Sequence, residues 1–244
     1  MSKVVILSGA GISAESGIKT FRDSDGLWNN HDVEEICSVD SLENNEGLTI
    51  NFYDERRKDL EDKIPNLAHI KIAELKNEFP NQISVITQNI DNLFEKAGLQ
   101  KEDVIHLHGF LTEVKCQDED CSFIKDIGYE LLKSFNKGKC PKCNRKLRPN
   151  VVFFGEEVPE YSKLYTEIND CKLLVIIGTS GSVVNVDSLV VHVEKSILNN
   201  LEPSKAIFDE LYTRVLYMPA TKAISEISRD IRYTINYIGD DYEL

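Results

Sequence analysis

Val4-Val5-Ile6-Leu7-Ser8-Gly9-Ala10-Gly11-Ile12-Ser13-Ala14 decides the fold. The apolar run Val4–Leu7 reads as a short buried strand, and it breaks directly into Gly-x-Gly-x-x-Ala. In a dinucleotide-binding turn the first glycine allows the tight bend and the second lets the backbone approach a pyrophosphate. The small third residue, here Ala14, permits close packing of the following helix. Alone, the pattern equally fits a plain strand-to-helix turn, so its weight depends on the rest of the chain.

Working outward, other short apolar runs read as buried parallel strands: Val4–Leu7, Ile83–Ile86, Val104–Leu107, Val151–Phe154 and Leu173–Ile177. Helical patterns at Leu67–Phe79 and Ile90–Ala97 separate some of them. Strands alternating with helices indicate an α/β fold with a Rossmann-like parallel sheet and right-handed crossovers. Ligands of such sheets bind at the carboxyl ends of the strands. The polar turns Gly9–Ser13, Thr87–Asp91, His108–Gly109, Gly155–Glu156 and Gly178–Ser180 all follow strands and are expected to converge on one site.

Two segments break the alternation. The first, about 27–65, is polar and helical. The second, about 113–148, carries four of the six cysteines. They are expected to form a smaller lobe, a helical insertion with a four-cysteine zinc ribbon. The large lobe would comprise about 1–26, 66–112 and 149–238, within one catalytic domain.

The 244 residues suffice for a large core, and 41% apolar with 28% charged residues is ordinary for a globular protein. The net charge of −13 gives no electrostatic support for nucleic-acid or anionic-membrane partners. The first apolar run is too short for a secretory signal, and no stretch approaches the ~20 apolar residues of a membrane helix. The expected location is cytoplasmic. In that reducing compartment paired cysteines bind metal more often than they form disulfides. Cys116-x4-Cys121 and Cys140-x2-Cys143 then read as two knuckles holding one tetrahedral zinc. Four thiolates leave no open position for water, so this zinc is structural.

Thr87-Gln88-Asn89-Ile90-Asp91 offers amides and a carboxylate to sugar hydroxyls or a carboxamide, although Thr87 or Asn89 could simply cap a helix. His106 and His108 occupy alternate positions on one face. His108, beside Gly109 at the ligand edge, suits general base work near neutral pH. A metal role for the pair His106 and His108 is also conceivable.

Taken together, Gly9–Trp28 with its GAGISAESGI, TFR and GLW segments, TQNID at 87–91, HLHG at 106–109, the four cysteines, RPNVVFFGE at 148–156, GTS at 178–180 and NLEPS at 200–204 resemble the sirtuin family, NAD-dependent protein-lysine deacylases. The segments keep the family's order and span almost the whole chain. The resemblance implies that Gly9, Ala10, Gly11, Ser13, Phe21, Arg22 and Trp28 line an NAD pocket. Gln88, Asn89, Ile90 and Asp91 would hold the nicotinamide ribose and carboxamide. Gly178, Thr179 and Ser180 would meet the phosphates and adenosine. Asn200, Leu201, Glu202 and Ala220 would surround the adenine and its ribose. Val152, Phe153 and Phe154 would pair their backbone with an extended acyl-lysine peptide.

The implied reaction consumes NAD as a co-substrate. The acyl-lysine oxygen attacks C1′ of the nicotinamide ribose and nicotinamide leaves. His108 then deprotonates a ribose hydroxyl, and the products are free lysine and O-acyl-ADP-ribose. Tyr53 and Arg56, three apart on one helical face, stand where the subgroup acting on succinyl- and malonyl-lysine carries its Tyr-x-x-Arg pair. Arginine can hold a carboxylate bidentately and tyrosine adds a donor, so acidic acyl groups are expected, with deacetylation as a weaker shared activity. Cys37 stands where that subgroup has alanine at the pocket wall.

The chain departs from the family at Lys19, which replaces a proline, at Val184-Asn185, which replaces Tyr-Pro, and in a shortened stretch before NLEPS. An NAD glycohydrolase or ADP-ribosyltransferase could use the same cofactor pocket. A non-enzymatic zinc-ribbon module would have no use for His108, Asn89 and Asp91.

Overall fold

Every residue of the first strand, Val4–Ser8, is buried, and its side chains alternate between two cores. Val4 and Ile6 pack with Ile72 and Ala73 of helix Leu67–Glu78 and with Ile224, Ile227 and Ile231 of helix Ala220–Tyr237. Val5 and Leu7 pack on the opposite face with Leu164 and Ile168 of helix Tyr161–Asn169 and with Leu189 and Val190 of the short helix Asp187–Val190. A strand covered on both faces has no reason to alternate polar and apolar residues, which is why it reads as a continuous β-branched run. The computed structural model describes residues 4–20, 27–28, 31–32 and 36–237.

In chain order the strands are β1 Val4–Ser8, β2 Leu27–Trp28, β3 His31–Asp32, β4 Ile83–Thr87, β5 Val104–His106, β6 Gly109–Cys116, β7 Ile124–Asp126, β8 Leu147–Val151, β9 Leu173–Ile177, β10 Lys195–Asn200 and β11 Arg214–Tyr217. The main sheet runs β11-β10-β9-β1-β4-β5 and every pairing in it is parallel. The chain therefore moves from β1 to β4 and β5 on one side, then returns to place β9, β10 and β11 on the other. This reversal lies between β1 and β9, and such a switch point opens a crevice beyond the strand ends. The expected α/β, Rossmann-like sheet is present. β10 and β11 were not read from sequence, because β10 carries Ser196, Asn199 and Asn200 and β11 is four residues with only Val215 and Leu216 as an aliphatic run. Asn199 and Asn200 are nevertheless buried, and Asn199 donates to the Leu216 and Met218 carbonyls.

A second, antiparallel sheet runs β7-β6-β8. This corrects the expectation that Val151–Phe154 is a parallel strand of the main sheet. Val151 ends β8 and pairs with Gly109 of β6, while 152–154 leave the strand. Gly109 makes this possible: at φ +89°, a Cβ there would lie 2.2 Å from the Asn150 oxygen. The small sheet therefore begins at Gly109 and ends at Val151, a few residues outside the expected limits of 113 and 148. Helix Glu46–Leu60 covers it. Within that helix Arg57 is fully buried, donating to the Leu111 carbonyl at 2.8 Å and pairing with Asp54, which accepts the Leu132 amide. No helix among the described residues is long and apolar enough to cross a membrane.

Candidate active site

The crevice at the switch point is floored by three glycines. Gly9 N–H donates to the Ile177 carbonyl and Gly11 N–H to the Gly178 carbonyl, at 2.9 and 2.8 Å. A Cβ on Gly178, whose φ is +66°, would fall 2.4 Å from the Ile12 nitrogen, and one on Gly11 would fall 2.7 Å from the Gly178 Cα. β1 and β9 can approach this closely only without side chains. Ala14, the expected third small residue, is exposed, so the close packing assigned to it is done by Gly178 instead.

Behind this floor lies a buried polar network. Ser13 Oγ donates to Asp91 Oδ2 at 2.9 Å and accepts from Asn89 Nδ2 at 3.1 Å. His69 Nε2, from helix Leu67–Glu78, lies 3.4 Å from the same oxygen. Burial pushes the Asp91 carboxyl above the ordinary range, opposed by hydrogen bonds from the Leu93 amide and Ser13. Because Asp91 Oδ1 accepts that amide, the helix expected from Ile90 begins only at Leu93 and ends at Lys96. Residues 88–92 thus stay a loop, and Ile90 is tied to the small sheet by the Leu111 amide at 2.8 Å. Across the crevice Gln88 Nε2 donates to Thr179 Oγ1 at 3.2 Å, Asn200 Nδ2 to the Thr179 carbonyl at 2.9 Å, and Ser204 Oγ to the Ser180 carbonyl at 2.6 Å. Leu201 and Glu202 are exposed at the crevice rim, and Ala220 is buried where its helix begins. Phe21 and Arg22 lie outside the described residues. Of Trp28 only the backbone, in β2, is described.

His108 sits in the turn between β5 and β6, not on β5 as the alternation suggested. Its Nδ1 lies 2.9 Å from the Gln88 carbonyl oxygen, which can only accept, so the proton is on Nδ1 and Nε2 presents its lone pair. That Nε2 is buried and has no hydrogen-bond partner among the described residues. Desolvation pushes His108 below the ordinary histidine range, which keeps the ring neutral at physiological pH. Its ring meets Tyr161 edge-on at 6.5 Å. His106 is different. Both its nitrogens are hydrogen-bonded, to the Asn89 carbonyl and to Glu95, so it has none left for a metal shared with His108.

The other wall belongs to helix Glu46–Leu60. Tyr53 is buried, its ring edge-on to Phe52 and Phe153, and its hydroxyl is hydrogen-bonded to the Cys37 thiol. Burial pushes that thiol up to about 11 and the Tyr53 phenol well above its ordinary value. Arg56 lies over the Phe52 ring at 4.5 Å. Its Nε is buried without a partner among the described residues, and desolvation lowers the guanidinium from its ordinary value. The adjacent Arg57, by contrast, is tied to Asp54 and Leu111.

Val152, Phe153 and Phe154 differ from expectation. Their amides already donate to the His108 carbonyl, Glu156 Oε2 and the Cys37 carbonyl, and the Phe154 carbonyl accepts from Val39. Arg148 braces the segment by a two-pronged pair with Glu156 and by packing over the Phe153 ring at 4.2 Å. The three amides of the segment are thus engaged within the chain, and Phe153 is a core residue. The next peptide unit, Gly155 at φ +93°, makes no hydrogen bond among the described residues.

The sulfurs of Cys116, Cys121, Cys140 and Cys143 all lie within 4.8 Å of one another, with Cys116–Cys143 at 3.4 Å and Cys121–Cys140 at 3.8 Å. A disulfide needs about 2.05 Å, and none is formed. A tetrahedron with metal–sulfur bonds of about 2.3 Å places its sulfurs about 3.8 Å apart. Backbone amides of Asp118, Phe123, Lys142 and Cys143 point at the sulfurs, as thiolate ligands require. The donor set fits a structural zinc.

The Sir2 family model matches residues 9–185. The chain belongs to the Sir2 family. It is 45% identical over 244 residues to an NAD-dependent protein deacylase of Campylobacter jejuni subsp. jejuni serotype O:2, covering 98% of this chain and 99% of that protein. Among solved structures, a Sir2 homologue in complex with NAD is similar at TM-score 0.82 and 32% identity, over 96% of this chain and 90% of that one. A Sir2 protein bound to an acetylated peptide is similar at TM-score 0.76 and 28% identity, over 93% and 92%.

Three residues of this Sir2-family site escaped sequence reading. Asn66 caps helix Leu67–Glu78 through its Oδ1 and ties it to the Ile12 carbonyl through its Nδ2 at 2.7 Å. Its capping position was a legible signal. His69, between Ala68 and Ile72 on the buried face of that helix, and Glu95, inside the expected helix, gave none.

Proposed function

We propose that this Sir2-family chain is an NAD-dependent protein-lysine deacylase with a preference for succinyl and malonyl groups and a weaker deacetylase activity. The observation that carries the reading is a pair of buried nitrogens with no partner among the described residues, His108 Nε2 and Arg56 Nε. A neutral imidazole with a free lone pair is a general base without a proton to remove. A half-buried guanidinium whose Nε has no partner among the described residues has a donor to offer, and the carboxylate of a dicarboxylic acyl group would accept from it.

NAD, when bound, supplies the leaving nicotinamide and the ribose that takes the acyl group. Gly9, Ala10, Gly11 and Gly178 leave room for the cofactor backbone, and Thr179, Ser180 and Asn200 face its adenosine half. Ser13, Asn89 and Asp91 form a preorganised polar wall behind the nicotinamide ribose. Gln88 fixes the tautomer of His108 through its carbonyl, so that Nε2 takes a proton from a ribose hydroxyl. Tyr53 and Arg56 hold the far end of the acyl chain. The peptide backbone meets the chain at Gly155, the first free peptide unit beyond the braced Val152–Phe154 segment. One zinc on the four cysteines holds the small sheet that carries β6 and β8.

The test is nicotinamide release in three parallel reactions, with NAD alone, with an unmodified lysine peptide and with its succinyl form. Release that depends on the acyl peptide, together with O-succinyl-ADP-ribose by mass spectrometry, is expected. Equal release with NAD alone would replace this reading by an NAD glycohydrolase.

A further inference from the structure

We propose that Lys96 is a positioning residue for acyl selection: its ammonium caps helix Glu46–Leu60 and holds the turn that carries Arg56 against the segment following loop 88–92. Lys96 Nζ donates to three carbonyls, those of Leu60 at 2.7 Å, Glu61 at 3.1 Å and Lys63 at 2.8 Å. An ammonium has three protons and a carbonyl oxygen can only accept, so each proton has its acceptor. The last carbonyls of a helix lack partners within it, and its C-terminus carries partial negative charge, so one cation answers both needs. The same nitrogen lies over the Tyr129 ring, 5.0 Å from its centre, and the Tyr129 hydroxyl accepts from Asn92 Nδ2 at 2.9 Å.

Lys96 closes the short helix Leu93–Lys96 that follows the loop. Asp91 fixes the start of that helix through the Leu93 amide, and Leu93 lies in one apolar cluster with Phe52, Tyr53 and Leu60. Lys96 thus adds a polar tie at the end of helix Glu46–Leu60 to an apolar one along its side. Leu60 stands one turn after Arg56, and an α-helix joins residues four apart through their backbone. A frayed last turn would free Arg56 from its place over the Phe52 ring, while Tyr53 keeps its edge-on contacts with Phe52 and Phe153.

The loop has supports of its own. Asn89 Nδ2 bonds Ser13 Oγ, and the Ile90 carbonyl accepts the Leu111 amide. Loss of the Lys96 ammonium therefore acts on the acyl end of the crevice and spares the cofactor end. This consequence rests on the proposed reading of Arg56 as the anchor of the acyl carboxylate.

The test compares Lys96→Met, which keeps an apolar stem and removes the three donors, with Lys96→Arg, which restores a cation. KM for the succinyl-lysine peptide is expected to rise about tenfold in Lys96→Met as a charge-assisted contact is misplaced, and to return to within about threefold of the parent in Lys96→Arg. KM for NAD and kcat/KM for the acetyl-lysine peptide are expected to stay within about threefold in both. The amides of Leu60, Glu61 and Lys63 should exchange faster in Lys96→Met. A lower melting temperature with an unchanged ratio of succinyl to acetyl activity overturns the inference, since a merely structural lysine gives that result. If Lys96→Met does not fold, the 15N-lysine-labelled parent decides, with Lys96→Arg to assign the signal: slow proton exchange of the Lys96 ammonium is expected, and fast exchange overturns the cap. A protein with no acyl-dependent turnover on any peptide sinks the functional reading instead, and the amide exchange still decides whether Lys96 holds the turn.

Discussion

The two walls of the crevice are built on opposite terms. On the parallel-sheet side the polar groups are linked to one another, Ser13 to Asp91 and Asn89, Gln88 to Thr179 and Asn200 to Thr179, although His69 Nδ1 and His108 Nε2 have no partner among the described residues. On the small-lobe side Arg56 lies over an aromatic ring with its buried Nε unpartnered among the described residues, while its neighbour Arg57, whose Nη2 is likewise unpartnered, holds the helix to the small sheet through Asp54 and the Leu111 carbonyl. A wall whose polar groups are linked to one another is preorganised. On the proposed function, the carboxylate of the acyl group completes the other wall, and the difference separates what makes the reaction from what selects the acyl group.

The largest way to break this comparison is to take away the zinc. Four-thiolate sites contribute on the order of 10 kcal/mol to folding. A chelator, or Cys140→Ser, is expected to expose the amides of β6, β7 and β8 to hydrogen exchange while β1, β4 and β9 stay protected. Loss of protection in both sheets at once would show that the walls are not separately supported. Next comes His108→Ala, which removes the proposed base and is expected to lower turnover by about 10²–10⁴-fold on every acyl group alike. In the parent protein kcat/KM should fall as pH drops through a value below the ordinary histidine pKa of about 6.5, since His108 must be neutral to act. An acid limb above that value would contradict the desolvated environment of the ring.

Gly178→Ala attacks the sheet wall directly. The new methyl would sit 2.4 Å from the Ile12 nitrogen at a positive φ, which is expected to destabilise the fold by about 3 kcal/mol and to weaken NAD binding for all substrates. Unchanged thermal stability would mean that β1 and β9 are not as close as described. A subtler effect concerns His69, which burial lowers to about 4 from 6.5. The unfolded chain takes up this proton below about 6.5 and the folded one does not. Stability present above that pH is therefore lost as pH falls toward 4, by about 3 kcal/mol. His69→Gln should flatten this acid loss, as thermal melts between pH 7 and pH 4 would show.

Much of the sheet wall was legible in the sequence, and the reason is physical. A strand buried on both faces must be apolar throughout, and a turn against a phosphate must be glycine, so Val4–Gly11 and Leu173–Gly178 declare themselves. β10 did not, because its Asn199 and Asn200 satisfy their buried amides through contacts distant in sequence, and β11 is too short to carry a pattern. Ala14 was credited with packing that Gly178 provides, since a motif fixes spacing but not which residue faces its partner. The segment Val152–Phe154 misled for a similar reason. Its apolar run is real, but its amides are taken by His108, Glu156 and Cys37, partners set only by the tertiary fold. Tyr53 and Arg56 were placed correctly on one helix, yet nothing local distinguishes Arg56 from Arg57. Only the positions of Asp54 and Leu111 show which arginine is structural.

Arg56, whose Nε has no partner among the described residues, is the point on which the contrast between the walls turns. The direct measurement is kcat/KM for succinyl-, malonyl- and acetyl-lysine versions of one peptide, in the parent protein and in Arg56→Met. The account predicts that the substitution lowers activity on the two acidic groups by about 10²-fold, the loss of a charge-assisted pair, and leaves the acetyl value within about threefold. Equal loss on all three peptides would contradict it, returning Arg56 to a structural role beside Arg57.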